Sequence, residues 1–495
     1  DDAATGDATP DGNERRGRSA ALPTVSRRRL LAATAAGAAG LAGCSTASDG
    51  SDAPGGDGSD GNDGAGDGND GTGDDTDGND GDGAVGGVSD GTIGRPLDSW
   101  VGYDPDWEAP TTSPLEADLD TEVLVENLEI PWDLAFAPGG ELFITERVGR
   151  VLKFDGGNVR EVATPADAID AGSIPAEPAE RKWWVRGGEG GTLGVAVHPQ
   201  YPDPAHVFVY YTAKTGDGKE NRVDAFDVES GDPGVPAYTV VEGMPANNYH
   251  NGGRITFGPR NSLWITTGDG GKPEKAGDPG TLNGKILRVT PRGDPAPDNP
   301  DLGSDADPRV FTYGHRNPQG IVWLPDGTPV NTEHGPTGRD EFNRLVPGDH
   351  YGWNDVYKPT GYLGTEFHPP LFNTGAKSFA PTGSLFYTGD AVPALRNRMV
   401  TGGLISQQLV VTTFTPPDGR LPPEKDAHAQ VTDDWADDAY TATVHTTFKN
   451  ELGRIRHVEQ SPDGDIYVCT SNRDGRSSTD FPRNVDDVLV RITQG

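Results

Sequence analysis

One pattern of apolar and polar positions recurs from about Trp100 to the end of the chain. An apolar strand runs into a Pro-x-Gly or similar turn, and a second apolar strand follows, ending in Thr or Ser. It reads Leu134-Ala-Phe-Ala-Pro138-Gly-Gly-Glu-Leu-Phe-Ile-Thr145 and returns at 193–212, 255–267, 321–332 and 458–470. The prolines of this phrase stand at 138, 199, 259, 325 and 462, with gaps of 61, 60, 66 and 137. The last gap is about twice the others, so a weaker unit belongs inside it. Residues 381–387, 399–404 and 409–413 supply its strands. Six units of roughly 66 residues, several with Asp-Gly hairpin signals, predict an all-β, six-bladed β-propeller. Blades this long carry long inter-strand loops, which is where chemistry collects.

The first hundred residues follow another pattern. Ser26-Arg27-Arg28-Arg29-Leu30-Leu31 reads as a twin-arginine signal, with an Ala/Gly-rich apolar stretch behind it. That stretch ends at Leu41-Ala42-Gly43-Cys44, which resembles a lipoprotein box with Cys44 as the lipidated residue. The run from Leu30 to Gly43 is short for a bilayer span, which takes about 20 residues. Residues 1–44 are therefore expected to be a signal peptide. Residues 45–98 hold 14 Asp and one Arg among Gly, Ser and Asn. Such a segment is expected to be a disordered acidic tether, because it cannot bury enough surface to fold. The propeller is assigned to 99–495. These segments predict Tat export and a lipid anchor at the extracellular face of the cell membrane.

Net charge is −36. That excludes nucleic acid as a partner, since phosphate contacts need a basic face, and suits a haloadapted surface. Against this acidity a few polar, Gly-rich loops abut apolar strands. Asn247-Asn248-Tyr249-His250-Asn251-Gly252-Gly253-Arg254 offers a histidine fit for general-base work. Tyr313-Gly-His-Arg316-Asn317-Pro318-Gln319-Gly320 and Arg454-Ile455-Arg456 bring arginines, which hold planar carboxylates through paired bonds. Gly335, Pro336, Glu341 and Tyr351 offer a carboxylate and carbonyls, the oxygen set a calcium ion takes.

Six motifs in order then carry a resemblance over about 125–495. They are Gly188-Glu189-Gly-Gly-Thr-Leu-Gly194, the His250 loop, the 314–320 loop, Glu333-His334-Gly335-Pro336 with Asp340-Glu341 after it, Tyr351-Gly-Trp353, and 454–464. The set resembles the soluble, pyrroloquinoline-quinone-dependent glucose/sorbosone dehydrogenase family, the aldose sugar dehydrogenases. The resemblance implies an exported quinoprotein that oxidises an aldose at C1 to the lactone and passes electrons to an unknown acceptor. His250 then matches the base, and Arg316 the arginine beside the quinone carbonyls. Glu189, Arg254, Arg316, Asn317, Arg454 and Arg456 are the expected cofactor residues. Gly335, Pro336, Glu341 and Tyr351 match a structural calcium site, and a second calcium is expected beside the quinone. Glucose-oxidising members carry glutamine at the position of Glu189, aspartate at Tyr249, glutamine at His334, and a lysine near Ser406-Gln407-Gln408. Glucose itself is therefore not implied. The alternatives are a propeller without cofactor that binds glycans or proteins, and a calcium-dependent propeller lactonase.

Overall fold

Each apolar phrase folds as an antiparallel hairpin. In the first, Leu134 pairs with Ile144 and Phe136 with Leu142, so both strands bury the same face. The Pro138 turn closes it through Ala137 N–H to the Glu141 carbonyl at 2.8 Å. The computed structural model describes residues 93–169, 188–216, 218–477 and 480–495. These residues form six antiparallel sheets, five of four strands and one of five, with no α-helix among the described residues. Six sheets, with the first strands of neighbouring blades in contact around a central axis, make a six-bladed β-propeller. Those inner strands are Pro131–Phe136, Thr192–Val197, Ile255–Phe257, Pro318–Trp323, Pro381–Tyr387 and Ile455–Gln460. The weak unit is the fifth blade, and it carries the extra strand.

The ring closes in a way the repeat does not announce. Leu119–Val125 becomes the outermost strand of the last blade, paired with Leu489–Gln494 from Leu119↔Gln494 onward. The two ends of the domain are thereby hydrogen-bonded into one sheet.

The signal segment 1–44, Cys44 and residues 45–92 of the expected tether lie outside the described residues. Residues 93–98, also assigned to that tether, pack on the propeller instead. Gly94 N–H donates to the Arg260 carbonyl at 3.0 Å and Arg95 Nε to Pro259 at 2.9 Å. The segment continues over the third, fourth and fifth blades. Asp104 N–H bonds the Pro325 carbonyl, Trp107 meets Phe386 edge to face, and Arg398 Nη2 bonds the Thr112 carbonyl. The Asp/Gly pattern ends before Leu97 and Trp107, which give the chain apolar anchors. This strap follows the proline turns, and so lies at the end of the axis away from the polar loops.

Candidate active site

Two kinds of loop meet at the polar end: those that lead into each inner strand, and those that join the second and third strands of a blade. They enclose a cavity of about 540 Å³. Trp132 and Arg147 come from the first blade, Glu189 from the second, His250 and Asn251 from the third. Arg316, Asn317 and His334 come from the fourth, Leu404 and Ile405 from the fifth, and Arg454, Arg456, Asp474 and Arg476 from the sixth.

His250 sits at the sharpest point of its loop, in left-handed backbone with φ of 58°. Gly268 makes room for it, since a Cβ there would lie 1.9 Å from the His250 carbonyl. Nδ1 of His250 lies 2.7 Å from Asp269 Oδ1. The Asp269 carboxylate also accepts Gly271 N–H at 2.7 Å and the Trp353 indole N–H at 2.8 Å. A carboxylate that accepts on these sides makes Nδ1 the donor, which leaves Nε2 of the ring as the basic atom. Asp269 is 1% exposed, so the carboxylate that orients the ring sits out of bulk water.

Arg454 and Arg456 are buried and Arg316 is half-buried, and all three line the cavity. Arg454 is held by Asp474 through Nε at 2.9 Å and Nη2 at 2.6 Å. Arg456 reaches Gln319 Oε1 at 3.4 Å and lies 3.8 Å from Asp474. Arg316 donates to the His334 carbonyl at 3.1 Å and stands over the Trp353 ring. Burial pulls Arg456 down to about 9 and Arg147 to about 10, and it lowers Arg316 as well. The Nε atoms of Arg316 and Arg456 are buried without a hydrogen-bond partner among the described residues. Buried donors of this kind call for an anionic oxygen ligand. A planar tricarboxylate quinone supplies such oxygens, so the residues fit the expected cofactor.

Most of the sequence-derived residues converge here. Glu189, His250, Arg316, Asn317, Arg454 and Arg456 all line the cavity. Asn317 Oδ1 accepts Gly252 N–H at 3.0 Å and so braces the His250 loop. Arg254, expected to bind cofactor, does not reach the cavity. Its Nη1 pairs with Asp133, its Nε donates to the Gln319 carbonyl at 3.0 Å, and its guanidinium covers Trp132 from the far side. It lines a second, smaller cavity farther along the axis with His457 and Glu459. The reason is local: Arg254 leads directly into Ile255–Phe257, and the strand carries it down the channel.

Gly335, Pro336, Glu341 and Tyr351 share one small pocket beside the main cavity. The Tyr351 hydroxyl is spent on the Arg344 carbonyl and Val346 N–H, so only its carbonyl faces this group. Burial, then the Glu333 carboxylate, push Glu341 well above the usual carboxylate range. A cation would relieve both effects, and the oxygens are of the kind calcium takes, although the Pro336 carbonyl also accepts Arg339 Nη1 at 3.3 Å and Glu341 Oε1 accepts Tyr362 and Asn373. Among the described residues, no group of three or more His, Cys, Asp or Glu side chains is arranged to hold a metal.

Sequence reasoning did not single out Asp269, Arg147, Asp474 or Arg476. Asp269 had a usable signal, an aspartate between glycines right after the strand Leu263–Thr267.

The family model described as Glucose / Sorbosone dehydrogenase matches residues 128–480. An Escherichia coli (strain K12) aldose sugar dehydrogenase is 27% identical over 76% of this chain and 95% of its own length. A Thermus thermophilus structure assigned as a glucose dehydrogenase is 36% identical, covers 76% of this chain and 99% of that one, and superposes with a TM-score of 0.61. The PQQ-bound aldose sugar dehydrogenase of Streptomyces coelicolor is 29% identical over 78% of this chain and 100% of that one, with a TM-score of 0.60.

Proposed function

This chain belongs to the glucose/sorbosone dehydrogenase family, and on that premise we propose that it oxidises an aldose at C1 to the lactone with pyrroloquinoline quinone as cofactor. The carrying observation is an oriented histidine–aspartate pair at the wall of an arginine-lined cavity. The PQQ-bound relative adds support.

When bound, the quinone supplies the two-electron acceptor for the C1 hydride. Arg454, Arg456, Arg316 and Arg147 are the residues that would hold its carboxylates and ring oxygens. His250 Nε2 takes the proton of the C1 hydroxyl. Asp269 stabilises the imidazolium that this creates and keeps the ring in one tautomer. Asn317 and the Gly268 contact fix the loop, so the base is placed before substrate arrives. In this proposal Gly335 and Pro336, through their carbonyls, with Glu341 and the Tyr351 carbonyl, are the residues that would hold a structural calcium ion, beside the wall that carries His334.

Reconstitution of the full chain with quinone and calcium, followed by dye reduction across a panel of aldoses, tests this. Quinone-dependent reduction with at least one aldose is expected. No reduction with any, together with no quinone-dependent rise in Tm, would contradict it.

A further inference from the structure

We infer that Glu189 is a positioning residue for the base and not a ligand of the cofactor: its carboxylate locks the His250 backbone in the conformation that aims the ring into the cavity. The inference rests on the dehydrogenase reading above and concerns the same site.

A residue with a Cβ in left-handed backbone is strained. It persists only where neighbours over-determine it. His250, at φ of 58°, is such a residue. Two loops 61 positions apart supply the constraint by exchanging bonds. Glu189 N–H donates to the Asn248 carbonyl at 2.8 Å, and His250 N–H donates back to Glu189 Oε2 at 2.9 Å. The loops touch too closely for a side chain between them. A Cβ on Gly188 would lie 2.0 Å from the Asn248 carbonyl oxygen.

The other carboxylate oxygen is also occupied. Glu189 Oε1 accepts Arg476 Nη1 at 3.0 Å. Both oxygens therefore face protein donors, and a carboxylate is a poor ligand for an anionic quinone. Burial works against the charge. The His250 N–H and the Arg476 guanidinium outweigh it and hold Glu189 at about 2, so the clamp is ionised at working pH. His250 is thus pinned twice, at its ring by Asp269 and at its backbone by Glu189.

Two variants and two readouts test this. Glu189→Ala removes the acceptor of His250 N–H, while Glu189→Gln keeps a carbonyl oxygen for it. In Glu189→Ala, kcat is expected to fall ~100-fold, as misplacing a base by about 1 Å does. KM and quinone Kd should stay within about threefold of wild type, because no ligand contact is lost. Glu189→Gln should recover most of that loss in kcat. The second readout needs no cofactor: hydrogen exchange at the His250 amide of the apoprotein. It should be slow in wild type and Glu189→Gln and fast in Glu189→Ala.

In either variant, quinone affinity falling tenfold while kcat at saturating quinone is kept would make Glu189 a cofactor ligand and overturn the inference. Unchanged amide exchange in Glu189→Ala would also overturn it. If Glu189→Ala does not fold, the Glu189→Gln affinity and kcat still decide. If wild type reduces no dye with any aldose, the dehydrogenase reading fails, while amide exchange still decides the clamp.

Discussion

Asp269 determines which nitrogen of His250 is basic. Its carboxylate accepts the Nδ1–H hydrogen bond and is itself fixed by the Gly271 amide and the Trp353 indole. Asp269→Asn keeps the shape but can turn an amide N–H toward Nδ1, which favours the wrong tautomer. We expect kcat to fall ~10⁴-fold, the scale seen when an orienting carboxylate is replaced by its amide. Quinone affinity should not change, because Asp269 faces the histidine. Steady-state kinetics with a quinone titration check this; a wild-type kcat in the variant would mean the pair does not act as described.

His250, Arg316, Asn317, Arg454 and Arg456 were legible because each stands in a polar loop directly against an apolar strand. Arg147 and Arg476 were not, since only the closed ring brings them beside Glu189; Asp269 was not, since it takes the hairpin of its own blade to fold it back onto His250. Arg254 misled because adjacency to His250 in sequence suggested a shared ligand, while the strand that starts beside it points the other way along the axis.

At the scale of elements, the hairpin phrase was readable because turn chemistry and alternation agree in each unit. That phrase marks the blade end opposite the cavity, so the most regular signal in the chain describes scaffold. The closing strand Leu119–Val125 was hidden, since its partner is more than 360 residues away.

The inner strand Ile455–Gln460 shows how one element serves two cavities. Its register shifts between Ile455 and His457. Before and at the shift Arg454 and Arg456 line the main cavity; after it His457 and Glu459 line the smaller one. A bulge of this kind re-aims the side chains beyond it. Burial, then the Asp133 carboxylate, push Glu459 up to about 8 from 4.5, and its carboxyl lies 3.1 Å from His457 Nε2. A carboxyl whose folded value is raised favours folding at pH below 4.5, and that advantage is lost as pH climbs through 8. Glu459→Gln removes the titration while keeping a donor for His457. About a third of the side chain is exposed, so the effect is discounted for solvent. The variant should gain ~1 kcal/mol over wild type at pH 8 and little at pH 4.5. Melting curves at both pH values check it; an equal gain at both would mean the ionised carboxylate is not the source.

At the scale of the molecule, the six sheets leave a polar end that holds every residue of the proposed chemistry. The other end holds the proline turns and the strap that begins at residue 93. Against a net charge of −36, five arginines, Arg147, Arg316, Arg454, Arg456 and Arg476, line the cavity, where an anionic cofactor would need them. The coupling of an oriented base to a quinone is tested most directly without any dye or acceptor. The full chain is loaded with quinone and calcium under anaerobic conditions, an aldose that supports dye reduction is added, and the quinone absorbance is followed. Wild type should show one reduction per bound quinone, and His250→Ala should bind quinone yet reduce it ~10² to 10⁴-fold more slowly, the usual contribution of a general base. Reduction by His250→Ala at the wild-type rate, or a quinone-loaded wild type that no aldose reduces, would contradict it.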